Sequence, residues 1–241
     1  MANIMFVLFF ASFALSHSWV EQLSVVGPSG LLQAQSGFPR GNVPRSSPEF
    51  NDQAMTYLVP TQDGEDYICS PSQREPYQTS GSPRLQTYPG DKVLLRYQEN
   101  GHVTLPWIPT GKPSSGVVYI YGTFMPTEND MLSDIHKVWN TDGSGGDKRG
   151  RLLGMFDFDD GHCFQVNDSP ISRYRREKYG HAFEIPEGND LWCGNKITIP
   201  IEIYYGVFSL YWVWDWPTNP GRIDEQQEIY TTCMDIDIRR K

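Results

Sequence analysis

Histidine is scarce in this chain, five residues in 241, and positive charge is outweighed: twenty Lys and Arg stand against twenty-nine Asp and Glu, a formal net charge of −9. A polymer this acidic is repelled by phosphate backbones and anionic lipid surfaces, which argues against nucleic acid and against membrane partners. Cysteine is limited to Cys69, Cys163, Cys193 and Cys233, and no two form a CxxC pair. That excludes a zinc ribbon and a thioredoxin-like redox site. The polar, Gly-rich stretch 140–150 lacks the Gly-Lys-Ser/Thr ending of a phosphate-cradling loop and reads as a surface loop. No internal repeat recurs at the periods of solenoids or propellers. No apolar run in the chain reaches the roughly 20 residues that a bilayer span needs.

What is present begins at the amino terminus. Residues 4–15 form a short apolar run, and Ala14 and Ser16 occupy the small-residue positions that signal peptidase reads. Residues 1–16 contain no Lys or Arg, so the positive end of the leader is the α-amino group alone. The expectation is a signal peptide over 1–16, cleaved after Ser16, then a single secreted, extracellular, monomeric domain over 17–241. An oxidising compartment favours two disulfides among the four cysteines, with three connectivities open from the sequence.

Residues 28–89 are dense in Pro, Gly, Ser and Gln, which predicts long loops and short strands. Clearer strands follow at 92–98, 116–124, 196–205, 207–216 and 228–238, each rich in β-branched and aromatic residues and bordered by turn-formers. A short helix fits 129–139, and few others are expected. Strands without βαβ alternation predict an all-β, antiparallel β-sandwich with long loops. In 211–216, Trp212, Trp214 and Trp216 share one strand face, and the large apolar area assigns them to the core. The acidic stretch 156–162 fails the Gly and Glu spacing of an EF-hand and reads as a solvated loop. Asn167-Asp-Ser169 is a glycosylation sequon weakened by Pro170.

Cleavage after Ser16 would give His17 a free α-amine beside its imidazole, two nitrogen donors that close a chelate ring on one metal. Their ordinary pKa values, about 7.7 and about 6.5, let both lose a proton cheaply near neutral pH. Nitrogen donors in a planar set favour copper, which stands at the top of the divalent affinity order. A third nitrogen must come from His102, His136, His162 or His181. His102 is best placed, in a Gly turn directly after a predicted strand; His162 is the second choice.

A mature N-terminal histidine, a second histidine in an Asn-Gly-His-Val-Thr turn at 100–104, and a closing strand with Tyr230-x-x-Cys233-x-x-Ile236 together resemble the fungal lytic polysaccharide monooxygenases. The resemblance implies an immunoglobulin/fibronectin-like sandwich and one copper held in a histidine brace by the His17 amine, the His17 imidazole and the His102 imidazole. It implies Tyr230 near the axial position, Glu228 or Gln165 in the second sphere, and disulfides Cys69–Cys233 and Cys163–Cys193. Glu228 and Tyr230, two apart in a strand, share a face. The activity implied is reduction of Cu(II) by an external electron donor, then activation of peroxide or dioxygen and hydrogen abstraction from a polysaccharide surface. The alternatives are a secreted copper-binding protein of the same fold without turnover and, third, a metal-free sugar-binding module.

Overall fold

The computed structural model describes residues 17–61, 65–105, 112–180, 188–221 and 227–240. Residues 1–16, where a signal peptide is expected, and His181 lie outside the described residues. Among those described, the elements in chain order are β1 (Val20–Val26), β2 (Leu32–Gly37), α1 (Asp52–Met55), β3 (Leu85–Thr87), β4 (Lys92–Tyr97), β5 (Val117–Thr123), α2 (Leu132–Ile135), β6 (Gly150–Asp157), α3 (Pro170–Tyr179), β7 (Cys193–Thr198), β8 (Gly206–Trp216) and β9 (Glu228–Ile238). They form a β-sandwich: a four-stranded sheet ordered β2-β1-β4-β7 faces a five-stranded sheet ordered β3-β9-β8-β5-β6. Every pairing between these strands is antiparallel except the short edge strand β3, which runs parallel to β9.

Alternation along β8 and β9 explains the core. Phe208, Leu210, Trp212, Trp214 and Trp216 point inward with Tyr230, Met234, Ile236 and Ile238, against Leu23, Val93, Leu95 and Ile197 of the other sheet. Trp212 and Trp214 are fully buried and Trp216 is 3% exposed, as expected for the core. Each tryptophan removes on the order of 200 Å² from water, on the order of 5 kcal/mol of transfer free energy before entropy is charged against it. The opposite parity is buried too, because Val59, Ile68, Leu132, Ile135 and Trp139 cover Tyr211, Val213, Ile229 and Cys233. Most of β8 and β9 is therefore dry on both faces.

Three expectations need correction. The strand expected over 196–205 stops at Thr198: Pro200 has no N–H for the ladder, and Ile201 and Tyr204 are left exposed. The helix expected over 129–139 shrinks to one turn at α2, after which Lys137 takes a left-handed φ of 61°. The unexpected helix α3 begins where a sequon was read. Ser169 accepts from Ser172 N at 3.0 Å as its N-cap, Pro170 follows at the first turn, and Asn167 Nδ2 donates to Thr104 Oγ1 at 2.8 Å. Two disulfides are present, Cys69–Cys233 and Cys163–Cys193. The second joins the acidic loop to β7, and Asp160 organises that loop by accepting from the N–H groups of His162, Cys163 and Gly194.

Candidate metal centre

Register places the sequence-distant residues at one end of the sandwich. In the four-stranded sheet Val20 pairs with Tyr97, so His17, just before β1, lies beside the turn that follows β4. In the five-stranded sheet Trp216 pairs with Glu228 and Trp214 with Tyr230, so the end of β8 and the start of β9 meet there as well. Val20 N donates to Thr232 Oγ1 at 3.1 Å and stitches β1 to β9 across the layers. Ser18 Oγ donates to Gln98 O at 2.8 Å, and Asn100 Nδ2 to His17 O at 2.6 Å.

The turn 99–104 is built around a carboxylate that the sequence reading did not single out. Glu99, 2% exposed, accepts from Val103 N at 2.8 Å, from Thr104 N at 3.2 Å and from the Thr104 hydroxyl. Gln165 N donates to Glu99 Oε1, the oxygen the Thr104 hydroxyl also uses, at 2.9 Å. Asn100 and Gly101 both take positive φ, 46° and 85°, the left-handed conformations that Asn and Gly adopt most readily. An acid three residues before a histidine in an Asn-Gly turn is the signal that could have marked Glu99.

This turn drives His102 into an aromatic nest. Its ring centroid lies 4.7 Å from Trp216, 5.1 Å from Trp214 and 6.2 Å from Phe158, edge-on to each. Burial, with smaller contributions from the charges of His17 and Lys112, lowers the His102 pKa to about 3, so its imidazole is neutral at physiological pH. His102 Nε2 is buried and has no hydrogen-bond partner among the described residues. An orphaned polar atom in such a place is costly unless a ligand satisfies it.

His17 is half-buried, and its Nε2 lies 3.1 Å from Asp52 Oδ2. A metal-bound histidine commonly gives its second ring nitrogen to a carboxylate, which fixes the tautomer. With Nε2 held by Asp52, Nδ1 is the ring nitrogen that can act together with an α-amine on the same residue. The donor set thus fits a nitrogen-bound transition metal: a neutral imidazole at His102 with an unsatisfied Nε2, and an imidazole at His17 whose Nε2 faces the Asp52 carboxylate.

Tyr230 and Glu228 share a face, and the Tyr230 hydroxyl donates to Glu228 Oε2 at 2.6 Å. Tyr230 is 2% exposed and stacks on Trp214 at 5.2 Å, so it is a core side chain as well as a neighbour of the His102 nest. Lys112, absent from the sequence reading, donates to Glu228 Oε1 at 2.8 Å. A cavity of about 340 Å³ opens here, lined by His102, Lys112, Asp159, Ile171 and Trp216 among others. Gln165 approaches the His102 turn through its main chain: its N–H meets Glu99, and its carbonyl accepts from Asn167 and Ser172. His162 lies elsewhere, 60% exposed, with its ring 4.7 Å from Tyr179. His136 sits on the outer face of the five-stranded sheet with Tyr121 and Asp215. Among the described residues, one group of three His, Cys, Asp or Glu side chains has metal-ligand spacing, Asp160 with Cys163 and Cys193, and those cysteines are already joined to each other.

The family model described as a domain of unknown function, DUF7492, matches residues 14–241. No curated protein matches the sequence. Similar solved structures include CvAA9A, at 12% identity and TM-score 0.47, over 93% of this chain and 79% of that one. Another is Cel61B, a glycoside hydrolase family 61 member from Hypocrea jecorina, at 9% identity and TM-score 0.43, over 93% and 82%. A third is a cellulose-active polysaccharide monooxygenase from M. thermophila, at 14% identity and TM-score 0.38, over 93% and 79%.

Proposed function

We propose that this chain, which belongs to the DUF7492 family, is a secreted copper-dependent enzyme that cleaves a polysaccharide by oxidation. One observation carries the reading. A histidine placed to become the mature N-terminus lies at the same end of the sandwich as a buried, neutral imidazole whose Nε2 has no hydrogen-bond partner among the described residues. Once the leader is removed after Ser16, the His17 amine and imidazole and the His102 imidazole would hold the metal. The chemistry that copper supplies in a nitrogen site of this kind is one-electron reduction by an external donor, followed by activation of dioxygen or peroxide for hydrogen abstraction from a glycosidic carbon.

The protein's own contributions are positional. Asp52 sets the tautomer of His17, and Glu99 sets the turn that presents His102. Tyr230, tied to Glu228, would stand beside the bound metal, and Glu228 or Gln165 would orient what enters. The test uses secreted, N-terminally processed protein with copper, ascorbate and a panel of chitin, cellulose, xylan and pectin, read by mass spectrometry. Oxidised oligosaccharides from one polymer are expected.

A second reading, copper capture without turnover, is favoured by the depth of His102, enclosed by Trp214, Trp216 and Phe158. Tight copper binding with no oxidised product from any polymer would select it.

A further inference from the structure

Lys112 is 116 residues from Glu228 in sequence, and its side chain is 2% exposed. Burying an ammonium costs free energy unless charge and hydrogen bonds replace its water. Two replacements are visible: Glu228 Oε1 at 2.8 Å and the Trp216 ring, whose centroid is 4.0 Å from Nζ. Glu228 keeps 24% exposure and has three rotatable side-chain bonds, so water competes for its oxygens. With Oε1 held by Lys112, Oε2 stays on the Tyr230 hydroxyl at 2.6 Å. Tyr230 and His102 pack on the same indole, Trp214.

We infer that Lys112 is the positioning residue of this centre: by pinning Glu228 it keeps the Tyr230 hydroxyl proton directed at Glu228. A metal at His102 would then meet Tyr230 as a phenol oxygen and not as a proton donor, a consequence that rests on the copper reading above. Lys112 thus acts on the Tyr230 hydroxyl through the Glu228 carboxylate. A lysine that only sealed the cavity would leave the Tyr230 hydrogen bond unchanged when replaced.

The test reads that bond directly in the metal-free, processed protein. The processed protein is labelled with ring-¹³C tyrosine, and the Tyr230 Cζ resonance is assigned by its loss in Tyr230→Phe. Donation to a carboxylate draws Cζ downfield, so Lys112→Met should move the Tyr230 resonance upfield, with the other tyrosines in place. Lys112→Arg, which keeps the cation, should restore it. An unmoved or downfield resonance in folded Lys112→Met overturns the inference, as does failure of Lys112→Arg to rescue. If Lys112→Met does not fold, Glu228→Gln asks the same question from the other partner, with the same upfield shift expected and an unmoved resonance again fatal. Copper(II) paramagnetic resonance then separates the two claims. A spectrum altered in Lys112→Met and restored in Lys112→Arg supports both, whereas wild-type protein that holds no copper removes the copper reading and leaves the Cζ result to decide Lys112.

Discussion

Asp52 Oδ2 lies 3.1 Å from His17 Nε2, so the first residue of α1 holds the ring of the residue expected to begin the mature chain. Asp52→Ala should weaken copper affinity by about 10-fold or more, in line with losses of outer-shell partners at other metal sites. Calorimetric titration of the processed protein checks this. Because Asp52 is 49% exposed, its melting temperature without metal should hardly change.

His102 offers an opposite signature. His102→Phe fills the same aromatic nest and removes the orphaned Nε2, so the metal-free variant should gain about 1 kcal/mol in denaturant unfolding. It should also lose copper. A variant that keeps wild-type copper affinity would dismiss His102 as a ligand.

Arg40 and Asp235 form a fully enclosed ion pair on the outer face of β9, at 2.9 Å through Nε and 2.7 Å through the terminal nitrogen, with 1% and 0% exposure. Arg40→Met leaves a buried carboxylate whose next cation, Arg84, stands 3.9 Å away, and should cost about 3–5 kcal/mol. Adding Asp235→Leu should recover most of that loss. Chemical denaturation of the two single variants and the double variant measures the coupling.

Asp215, between Trp214 and Trp216 but on the opposite face of β8 from His102, supplies an acid-sensitive element. Burial alone would raise its pKa, but hydrogen bonds from His136, Lys137 and Gln227 outweigh that and hold the carboxyl well below the usual range. A depressed native pKa contributes stability above the unfolded value of about 3.9 and loses it as pH falls further. Asp215→Asn should therefore cost about 2 kcal/mol at pH 7, and the gap to wild type should close as pH drops from about 5 toward 2. Thermal melts across that range show the convergence.

The sequence was most legible where one residue type signals one environment. β8 and β9 are legible almost to the residue because β8 is rich in apolar and aromatic side chains on both parities, Tyr230, Met234, Ile236 and Ile238 line one parity of β9, and Trp212, Trp214 and Trp216 fit a core. β1 and β2 were harder. Gln22, Ser24, Gln33 and Gln35 dilute any alternation, and these strands exist because β4 and the opposing sheet supply partners. At the candidate centre the two histidines and the Glu228–Tyr230 pair were visible as motif positions. Asp52, Glu99 and Lys112 were not, because ordinary acids and a lysine become meaningful only when the fold brings them against a histidine or a carboxylate.

The Cys69–Cys233 bond closes a covalent ring spanning 164 positions of chain. His102, Lys112, Glu228 and Tyr230 all lie within that ring, while His17 and Asp52 lie outside it. Oxidation thus tethers one half of the proposed centre, and the other half is seated by non-covalent contacts, among them the ribbon that β1 makes with β4 and the hydrogen bonds at Ser18, Val20 and Asn100. On the proposed reading, a reductant would loosen the anchorage of the enclosed imidazole at His102, while His17 would keep its own non-covalent attachment to the sheet.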